Sequence, residues 1–435
     1  MASPTLSIVI PVWAGEHNLP RLIPSLAAAV DSLELDREVV VAGGPEGTHL
    51  RELSTALGAS FVASSEGGYG EILREGLRRA RGRYVVTLDA DFSHRPGYIR
   101  TMWHHRHRGE VLLGSRYVPG AHAELQLVRR VASRLLNFVY RTMLSLPYRD
   151  LSSGFRLYHR RVLEDIGLPT SGGLDVLPEM AVKALCQGWK IAEVPIWYRG
   201  AGPWTRTRMV RLGFGYLRSL GRLFALRNSV RAADYDDRAF DSWIPLQRYW
   251  QRRRFRIVSD FVAEAGRVLD IGCGSSRIVQ MLAQGVGVDV ASRKLRWLRG
   301  PGRHLAQADM NHLPFPDASF DAVICSEVIE HVPREQVRLE ELARVVRPGG
   351  LLVLGTPDYG RRLWRVLEWT YGRVFPGGYA KEHINRYTHD GLERQLREEL
   401  GLEVLECRYV GRSEMIFKAR VPATRGSRAP ATTAA

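Results

Sequence analysis

Two places in the sequence combine acidic residues with turns in a way that could do chemistry on charged ligands. At the first, Asp89 and Asp91 flank one alanine and follow the apolar run YVVTL. Two carboxylates at positions i and i+2 of a turn that ends a strand can together hold a hard divalent cation, whose open positions then go to a diphosphate. Such a metal would neutralise the charge that develops on a leaving nucleoside diphosphate. The alternative is a solvated turn in which both acids only face water.

The second place is the string RVLDIGCGSS at 267–276. Gly272 and Gly274 would let the backbone pass close to a ligand, because a Cβ at either position would collide with it. Asp270 lies in the preceding apolar run, and Asp289 ends the next one, where a carboxylate is placed to accept hydrogen bonds from both hydroxyls of a ribose. By themselves these residues fit a dinucleotide as well as another ribose-containing cofactor. A capping or turn role is the structural alternative for both acids.

The elements that must position these residues form two α/β patterns. Short β-branched runs alternate with segments of helical periodicity, and this alternation predicts mostly parallel, doubly wound sheets. The runs of the first pattern are at 6–11, 38–42, 60–63, 84–89, 111–115 and 192–198. Those of the second pattern are at 267–271, 285–289, 320–325, 350–355 and 402–410. The predicted fold class is therefore α/β, with two doubly wound domains in succession.

Shifts in composition set the expected domain boundaries. We expect a first domain over 1–230, an Arg-rich connector over 231–261, a second domain over 262–422 and a disordered tail over 423–435. The connector is expected to be irregular after an initial helix. The tail is assigned to disorder because it lacks apolar periodicity.

Composition places the chain among globular proteins. Its 435 residues are 45% hydrophobic and 25% charged, which excludes a disordered, collagen-like or polytopic membrane protein. The four cysteines lie far apart without a CxxC pair, which argues against a zinc site or a disulfide framework and suits a reducing cytoplasm. The first apolar stretch has no basic region before it, so we expect a strand there and no signal peptide. No uninterrupted run of about 18 apolar residues occurs, so no segment is expected to span a membrane.

Two further motifs decide what the second domain resembles. They are AQADMNHLPFPDASFDAVICSEVIEHV at 306–332 and RVVRPGGLLVLGTP at 344–357. Together with the motif at 267–276 and with Asp289, they follow the order and spacing of the class I S-adenosylmethionine-dependent methyltransferases. The chain resembles this family over about 262–420, and the resemblance implies S-adenosyl-L-methionine as the cofactor of the second domain.

The resemblance also implies how this cofactor would be held. Asp270, Gly272 and Gly274 would contact its amino-acid end, and Asp289 would hold its ribose. Asp309 and Met310 would flank its adenine. Ser326 and Glu327 would lie near its methyl group. The segment EHINRYTHDGL at 382–392 also resembles these enzymes, in which it borders the acceptor pocket.

Methyl transfer to an oxygen needs a base only if the acceptor is a hydroxyl. His331 and His383 are the candidates, because imidazole titrates near neutral pH. We expect His331 in a catalytic role and His383 at the substrate. For each of them, a histidine that only packs or hydrogen-bonds structurally is the alternative.

The first domain carries three motifs besides the turn at Asp89 and Asp91. They are LSIVIPVW at 6–13, GSRYVPG at 114–120 and RDLSSGFRLYHRRVL at 149–163. On these motifs the domain resembles the family 2 glycosyltransferases of the GT-A fold, and within them the polyprenyl- or dolichyl-phosphate mannosyltransferases. The partners that the resemblance implies are a nucleotide sugar as donor and a polyprenyl phosphate or another glycan as acceptor.

The same resemblance implies roles for five side chains. Asp89 and Asp91 would bind Mg2+ or Mn2+, with Asp91 also counted among the catalytic residues. Arg116 and Arg156 would face phosphates, Arg116 at the substrate and Arg156 in a catalytic role. Glu179 would lie near the reacting sugar. A lipid phosphate is already an anion at neutral pH, so transfer to it strictly requires no general base.

The sequence departs from this family in two places. After the first strand, Gly15 stands where the family has an acid, and we assign the adjacent Glu16 to the substrate in place of that acid. Pro11 is also assigned to the substrate. After the second strand, Val41 and Ala42 replace the paired acids that contact the nucleobase. An apolar pair cannot make the same hydrogen bonds, so we expect donor binding to be altered, weak or lost.

Two Arg-rich segments, 128–144 and 209–227, predict amphipathic helices. The apolar positions of the first are Val128, Val131, Leu135, Phe138 and Val139. A basic amphipathic helix can lie in the headgroup layer of an anionic membrane, and it can equally pack on its own domain. We therefore expect a cytoplasmic protein, with peripheral contact to the inner face of the cell membrane left open.

Three hypotheses about function follow. In the first, one domain transfers a sugar and the other methylates the sugar or its product, and fusion raises the effective concentration of the intermediate. In the second, which Val41 and Ala42 favour, the first domain only binds a glycan or the membrane and methylation is the sole chemistry. The third is a nucleic-acid methyltransferase that exploits the net charge of +16, and the sugar-transferase motifs oppose it.

Overall fold

The computed structural model describes residues 4–45, 47–200, 206–374 and 383–423, with side chains described throughout except at 206–212 and 371–374. The chain divides into two compact units, residues 1–227 and 228–435. Each unit contains a seven-stranded sheet, and the first has a further two-stranded ribbon.

The first unit is an alternation of strands and helices. Its strands are β1 (Leu6–Val12), β2 (Arg37–Gly43), β3 (Ser60–Ala63), β4 (Tyr84–Thr87), β5 (Val111–Ser115), β6 (His122–Glu124), β7 (Arg156–His159), β8 (Ile191–Pro195) and β9 (Trp197–Arg199). Its helices are α1 (Leu19–Asp31), α2 (Thr48–Ala56), α3 (Tyr69–Arg79), α4 (Tyr98–His104), α5 (Leu127–Leu144), α6 (Arg160–Ile166), α7 (Val176–Cys186) and α8 (Arg206–Arg227).

The strand order of the first sheet is β3-β2-β1-β4-β7-β5-β8, and β6 pairs with β9 in the ribbon. Strand β7 is antiparallel to both of its neighbours, whereas the other pairs of the sheet are parallel. Central strand β1 is buried along its whole length, as its apolar sequence predicts. Because β1, β2 and β4 are parallel, their carboxyl ends meet at the same edge of the sheet, which is where ligands bind in folds of this kind.

The second unit begins with two helices and continues into its sheet. Its strands are β10 (Arg267–Ile271), β11 (Gln284–Asp289), β12 (His304–Gln307), β13 (Phe320–Ser326), β14 (Val346–Pro357), β15 (Glu403–Val410) and β16 (Glu414–Arg420). Its helices are α9 (Tyr235–Phe240), α10 (Pro245–Phe261), α11 (Ile278–Met281), α12 (Ser292–Leu298), α13 (Leu339–Arg344), α14 (Arg362–Val374) and α15 (His389–Arg394).

The second sheet has the order β12-β11-β10-β13-β14-β16-β15. The five strands from β12 to β14 are parallel, and β16 is antiparallel to both β14 and β15. The predicted fold class, two doubly wound α/β domains in succession, is confirmed. Strands β7 and β16 were not predicted, and both are the antiparallel strands of their sheets. Neither carries a β-branched run, since β7 (RLYH) has no β-branched residue and β16 (EMIFKAR) has Ile416 alone.

The predicted boundaries need two corrections. The first unit ends at residue 227, and the expected irregular connector at 231–261 is largely helical and belongs to the second unit. Ile257, Val258 and Phe261 on α10 are buried in the same apolar cluster as side chains of the central strands β10 and β13. The Arg-rich face of α10 concealed this apolar stripe. The predicted tail lies, except for residue 423, outside the described residues.

Membrane-spanning segments were not expected from the sequence. Among the helices that the structure describes, none combines the length and the apolarity needed to cross a bilayer.

The helical connector makes a testable contribution to stability. Phe261 is 2% exposed, so Phe261→Ala removes a buried aromatic ring and is expected to lower the free energy of unfolding by about 3–5 kcal/mol. Urea denaturation followed by tryptophan fluorescence measures this loss. Trp243→Ala is the control, because Trp243 lies in the same segment and is 85% exposed. Equal small effects of both substitutions would show that the segment is only a linker.

Candidate active sites

In the first unit, the two predicted metal ligands follow β4 at the carboxyl edge of the sheet. The Tyr69 hydroxyl donates a hydrogen bond of 2.9 Å to Asp89 Oδ1. Asp91 Oδ1 accepts a hydrogen bond of 2.9 Å from the Ser93 N–H. Gly154 lies against this turn, since a Cβ there would be 2.9 Å from Asp89 Oδ1. The two carboxylates are thus held by α3 and by the turn itself, with one oxygen of each engaged in these bonds.

The electrostatics of this pair favour a cation. Burial and the neighbouring charge of Asp91 raise the pKa of Asp89 to about 6, and the Tyr69 hydroxyl and the Arg116 guanidinium offset them only in part. Two carboxylates that repel each other at the end of a strand form an oxygen donor set that suits Mg2+ or Mn2+. Asp89 and Asp91 therefore fit the metal that was expected here.

The loop after β1 reaches the same place. Gly15 has a φ of +87°, and a Cβ on it would lie 3.3 Å from the Asp91 Cα. Only glycine suits both the left-handed backbone and this close approach. Pro11 is buried in β1, and Glu16 is exposed at the start of a single 3-10 turn, Glu16–Asn18. Glu16 thus borders the edge that carries the Asp pair, whereas Pro11 is part of the sheet.

The departure at the second strand is structural as well as chemical. Val41 and Ala42 are fully buried in β2, and Val41 belongs to the main apolar core of the unit. In the β1–β2 register, Val41 pairs with Ile10 and Ala42 with Pro11. Their side chains offer no polar atom to a nucleobase.

Arg116, which was expected to face a phosphate of the substrate, forms a buried ion pair. Its guanidinium donates two hydrogen bonds of 2.7 Å to the carboxylate of the fully buried Asp150, from Nε and from Nη2. Burial alone would raise the pKa of Asp150, but the Arg116 guanidinium reverses this and holds that pKa below its ordinary value. The positive charge of Arg116 is therefore balanced inside the protein rather than held ready for a phosphate.

Arg156, which was expected in a catalytic role, is bonded to the backbone in this structure. It is fully buried in β7, and its Nε, Nη1 and Nη2 donate to the backbone carbonyls of Ser153, Leu177 and Leu151 at 2.8, 2.6 and 2.6 Å. These bonds tie the loop before β7 to the first turn of α7. Arg156 positions this loop and has no access to a phosphate.

Glu179 was expected near the reacting sugar, and the structure instead commits it to a loop. The N–H groups of Thr170 and Ser171 each donate a bond of 2.8 Å to its carboxylate, and Lys183 Nζ lies 2.7 Å away. Burial alone would raise the pKa of Glu179. Hydrogen bonds from Lys183, Ser171 and Thr170 outweigh burial and lower that pKa to about 2. Glu179 fixes the loop 170–173, whose Gly172 carbonyl accepts from the Gly70 N–H at 2.7 Å.

A cavity of about 400 Å3 lies beside helix α5, and we call it the arginine cavity. Its basic lining residues are Arg116, Arg134, Arg141 and Arg149. The Nε of Arg141 is buried and donates to no acceptor within the described part of the chain. The motifs quoted above include Arg149, but no sequence signal showed that it would meet two arginines of α5.

The amphipathic helix predicted at 128–144 is confirmed as α5, and its apolar side faces outward. The exposed fractions lie between 57% and 73% for Leu127, Val128, Val131, Leu135 and Phe138. We call this set the α5 ridge. Phe138 also lines the arginine cavity, so the ridge and the cavity adjoin. The second predicted helix is α8, on which Phe214 and Leu217 are 71% and 68% exposed. Met209 and Leu212 lie outside the described side chains.

In the second unit, the Gly-rich turn joins β10 to α11. Gly272 and Gly274 have φ values of +63° and +55°, so both need the left-handed backbone that favours glycine. Asp270 is 3% exposed, and its Oδ2 has no hydrogen-bond partner in the described structure. Burial and the neighbouring charge of Asp289 raise the pKa of Asp270 to about 8. An orphaned buried carboxylate beside this turn fits the positively charged cofactor that was expected.

Asp289 ends β11 next to the same turn, as predicted. Its Oδ2 accepts a hydrogen bond of 2.8 Å from the Gly274 N–H, and its Oδ1 accepts one of 2.7 Å from the Ala291 N–H. Each oxygen keeps a second lone pair, so Asp289 can still accept from a ribose hydroxyl. The backbone bonds fix its orientation.

The sequence analysis missed Asp236, which lies on α9 in the expected connector. Its Oδ2 accepts hydrogen bonds from the Ser275 N–H at 3.0 Å and from Lys294 Nζ at 2.6 Å. Burial would raise its pKa, and Lys294 and Ser275 instead lower it to about 2. A Cβ on Gly274 would be 2.6 Å from the same oxygen. The cluster of acids in DYDDRAFD was the available signal.

The remaining predicted cofactor contacts lie at the ends of the next strands. Asp309 is exposed after β12 and accepts from the Asn311 N–H at 2.9 Å, while Met310 is 4% exposed and packs in the core. Ser326 ends β13, and its Oγ is buried with no partner among the described residues. The predicted residues therefore occupy the carboxyl edge of the sheet, with Met310 facing the core.

After β13 the chain places several acids in a buried environment. Arg254 on α10 lies 3.3 Å from Glu327 and donates from Nε to Glu414 at 2.6 Å. Burial raises the pKa of Glu327 well above its ordinary value, and Arg254 opposes this. Burial likewise raises the pKa of Glu330 to about 8, although its Oε2 accepts a hydrogen bond of 3.0 Å from Thr356.

His331 and His383 come together, as their assignment to one site requires. Their ring centroids are 5.0 Å apart. The Nδ1 of His383 lies 3.0 Å from Glu368 Oε1 and 3.0 Å from the Tyr359 hydroxyl. Burial lowers the pKa of His383, and Glu368 offsets this in part. Glu382, at the start of the predicted acceptor segment, lies outside the described residues.

Comparisons with known proteins match a family model to part of each unit. The family model of glycosyl transferase family 2 matches residues 7–167, and that of a methyltransferase domain matches residues 269–354. Polyprenol monophosphomannose synthase of Mycolicibacterium smegmatis is 30% identical over 210 residues, covering 43% of this chain and 75% of that relative. Dolichyl-phosphate hexose transferase of Haloferax volcanii is 28% identical over 192 residues, covering 43% of this chain and 82% of that relative.

A solved structure also resembles part of the chain. It is glucosyl-3-phosphoglycerate synthase from Mycobacterium tuberculosis in complex with Mn2+, uridine diphosphate and phosphoglyceric acid. The identity is 21%, the TM-score is 0.41, and the match covers 52% of this chain and 78% of that one.

The role given to Glu179 predicts a pH-dependent loss of stability. Because its folded-state pKa is about 2 against an ordinary 4.5, its contribution is present above about pH 4.5 and is lost as the pH falls toward 2. Glu179→Gln is expected to lower the free energy of unfolding by about 1–3 kcal/mol at neutral pH, and by progressively less below about pH 4.5. Urea denaturation across this range measures the difference.

Glu52→Gln is the matched control, because Glu52 is an exposed glutamate on α2. It should leave the free energy of unfolding nearly unchanged at every pH. A Glu179→Gln protein of unaltered stability that has lost only glycosyl transfer would instead restore the catalytic assignment.

Proposed function

Because this chain belongs to the family 2 glycosyltransferases and carries a methyltransferase domain in its second unit, we propose that it is a bifunctional enzyme of a lipid-linked glycan. Its first unit transfers a hexose from a nucleotide sugar to a polyprenyl phosphate. Its second unit transfers a methyl group from S-adenosyl-L-methionine to the sugar of that product. The two activities are argued separately below, since different residues support each.

The observation that best supports a lipid phosphate as the acceptor is the arginine cavity beside the α5 ridge. Arg134, Arg141 and Arg149 supply guanidinium donors that match a phosphate in geometry and charge. The α5 ridge supplies an apolar surface for the polyprenyl chain or for the membrane that contains it. The names of both relatives, a polyprenol monophosphomannose synthase and a dolichyl-phosphate hexose transferase, agree with such an acceptor.

The donor diphosphate is assigned to the carboxyl edge of the first sheet. Asp89 and Asp91 would hold Mg2+ or Mn2+ there, and this metal supplies charge neutralisation to the departing diphosphate. The buried pair Val41 and Ala42 cannot read the nucleobase through side-chain hydrogen bonds. We therefore expect weak discrimination among nucleoside diphosphates.

The transfer step needs little from the protein beyond positioning. An oxygen of the acceptor phosphate forms a bond to the anomeric carbon while the bond from that carbon to the donor diphosphate breaks. Because the attacking oxygen is already an anion, no proton has to be removed. The commitment of Glu179 and Arg156 to structural bonds is consistent with this, because neither a base nor a further phosphate ligand is required of them.

The methyl donor is assigned to the Gly-rich turn of the second unit. The buried orphan Oδ2 of Asp270 would accept from the ammonium group of the cofactor, and Asp289 would accept from its ribose. Asp236 and Lys294 brace the turn from α9 and α12. Linking the two units in one chain raises the effective concentration of the glycolipid at the methylating site.

One observation favours a second candidate function. Since Val41 and Ala42 remove the side chains that hold a nucleobase, the first unit could serve only to dock a glycolipid for the second. The arginine cavity and the α5 ridge would then bind the lipid phosphate of a finished substrate. This candidate retains methylation and excludes sugar transfer.

The product distinguishes the two candidates. Purified protein is incubated with a polyprenyl phosphate, Mn2+, S-adenosyl-L-methionine and each of several nucleotide hexoses, and the lipid fraction is analysed by mass spectrometry. The proposal predicts a lipid that carries one hexosyl group and, with S-adenosyl-L-methionine present, one additional methyl group. Asp91→Ala should abolish both products. Methylation of a supplied hexosyl lipid without any hexosyl transfer would support the docking candidate.

The arginine cavity makes a sharper prediction. Arg141→Gln replaces the guanidinium by a neutral amide and so removes a charge beside the lipid phosphate. The KM for polyprenyl phosphate should therefore rise about tenfold, which is about 1.4 kcal/mol. Steady-state kinetics at saturating donor measure this rise. Arg51→Gln, on the exposed face of α2, is the control and should leave this KM unchanged. An unchanged KM in Arg141→Gln would remove the cavity from the acceptor site.

A further inference from the structure

The second unit contains a cluster of three side chains that could ligate a metal, two of which, His331 and His383, were expected at the methyl acceptor. Ligand atoms of Glu330, His331 and His383 all lie within 4.8 Å of one another. We propose that these three residues hold a divalent cation, on which two neighbouring hydroxyls of the sugar acceptor bind for methylation. The cation site follows from the geometry alone. The part concerning the acceptor rests on the proposed function.

His383 is prepared as a metal ligand by its surroundings. Its side chain is 3% exposed, and Nδ1 lies 3.0 Å from the carboxylate of Glu368. With the proton on Nδ1 donated to Glu368, Nε2 carries a lone pair, and this buried nitrogen has no partner among the described residues. A carboxylate that orients a histidine through its second nitrogen is the arrangement found behind histidine ligands of metal sites.

Glu330 also offers a buried ligand atom that has no hydrogen-bond partner among the described residues. It is fully buried, and while Oε2 accepts from Thr356, Oε1 has no partner in the described structure. An unsatisfied buried carboxylate oxygen is costly unless a ligand or a cation completes it. Glu330 and His383 thus each present one buried, unengaged ligand atom to the same small space.

The backbone holds the two segments of the cluster together. The N–H groups of Ile384 and Asn385 donate to the Glu330 carbonyl at 2.7 and 3.0 Å. The Asn385 side chain also donates to the Ile329 carbonyl at 3.3 Å. These bonds place His383 beside the segment that carries Glu330 and His331. A tetrahedral cation about 2.1 Å from each ligand atom needs these atoms about 3.4 Å apart, so each atom would move inward by up to about 0.8 Å.

Carboxyl groups outnumber cations around the cluster. Glu330 and Glu414 are buried and Glu327 is half-buried, and among the described residues of this cluster Arg254 is the cation paired with Glu327 and Glu414. Glu327 also has a φ of +60°, a backbone strain that a glutamate adopts only when its surroundings impose it. A bound divalent cation would stabilise the ionised form of these carboxyl groups.

The donor set indicates the class of cation. Two imidazole nitrogens and one carboxylate oxygen suit a first-row transition ion such as Mn2+, Fe2+, Co2+ or Zn2+ better than Mg2+, which prefers oxygen ligands and water. Three protein ligands leave coordination positions open. Two adjacent hydroxyls of a sugar can take these positions as a chelating pair.

The cluster lies beside the cofactor turn. Val328, two residues before Glu330, contacts that turn so closely that a Cβ on Gly272 would be 2.3 Å from its side chain. In the step that we infer, a hydroxyl held in this cluster loses its proton to solvent water, and its oxygen forms a bond to the methyl carbon of S-adenosyl-L-methionine. The bond from sulfur to that carbon breaks with its electron pair left on sulfur, which gives S-adenosylhomocysteine.

Metal titration of the full chain tests the cation site without any acceptor. Chelator-treated protein is titrated with Co2+, whose visible absorption reports nitrogen ligation, and separately with Mn2+, whose bound fraction is read by electron paramagnetic resonance. His331→Asn and His383→Gln should each abolish the Co2+ band and bind one Mn2+ fewer per chain. Glu368→Gln, which acts through His383, should weaken Co2+ binding about 10–100-fold.

Controls separate this site from the one in the first unit. Asp91→Ala should remove the other Mn2+ and leave the Co2+ band intact, and His304→Gln, at an exposed position of β12, should change neither measurement. Calorimetry with S-adenosylhomocysteine verifies that each histidine variant is folded. A Co2+ band that persists in both histidine variants would overturn the site.

The acceptor part has a separate test. If the cation binds and a hexosyl lipid is methylated, removal of the cation should reduce methylation at least tenfold while S-adenosylhomocysteine still binds. Methylation at an unchanged rate in the metal-free protein would overturn the proposal that the cation binds the sugar hydroxyls. Cation binding without any methylated glycolipid would contradict the proposed function and leave the metal site standing.

Discussion

Repulsion between carboxylates at the carboxyl ends of parallel strands is the constraint on which both sites depend. Parallel strands bring their ends to one edge, so acids that follow adjacent strands become neighbours in a poorly solvated place. Asp270 and Asp289 do so in the second sheet, whereas Asp89 and Asp91 in the first unit share the one turn that follows β4. Burial and this repulsion raise the pKa of Asp89 and that of Asp270. Each of these places is therefore suited to a ligand that brings positive charge, a metal in the first unit and a sulfonium cofactor with its ammonium group in the second.

The protein satisfies some of its buried charges internally and leaves others available. Arg116 is neutralised by Asp150, and Glu179 by Lys183 and backbone N–H groups. Those internal bonds hold the loops around the site. By contrast, Arg141 keeps an unengaged donor. The difference between paired and unpaired groups separates residues that build the site from residues that meet a substrate.

Much of the fold and part of the sites could be predicted from the sequence. The order of apolar runs predicted both sheets, and the motifs located the Asp pair and the Gly-rich turn, because these depend on residues close together in the chain. The partners of Arg116, Arg156 and Glu179 could not be predicted, since a motif identifies a residue type and not its partner. Asp150 engages Arg116 from 34 residues away, and three backbone carbonyls engage Arg156. The apolar stripe of α10 was likewise hidden by its arginines.

Two binding sites for chemically distinct cofactors in one chain are the central claim, and a calorimetric titration tests it most directly. Nucleoside diphosphates with Mn2+ and, in parallel, S-adenosylhomocysteine are titrated into the full chain, each in the absence and the presence of the other. The account predicts that both bind, each with a Kd that the other leaves unchanged. Binding of S-adenosylhomocysteine with no heat from any nucleoside diphosphate would contradict it, and would show that Val41 and Ala42 mark a donor site that the first unit no longer uses.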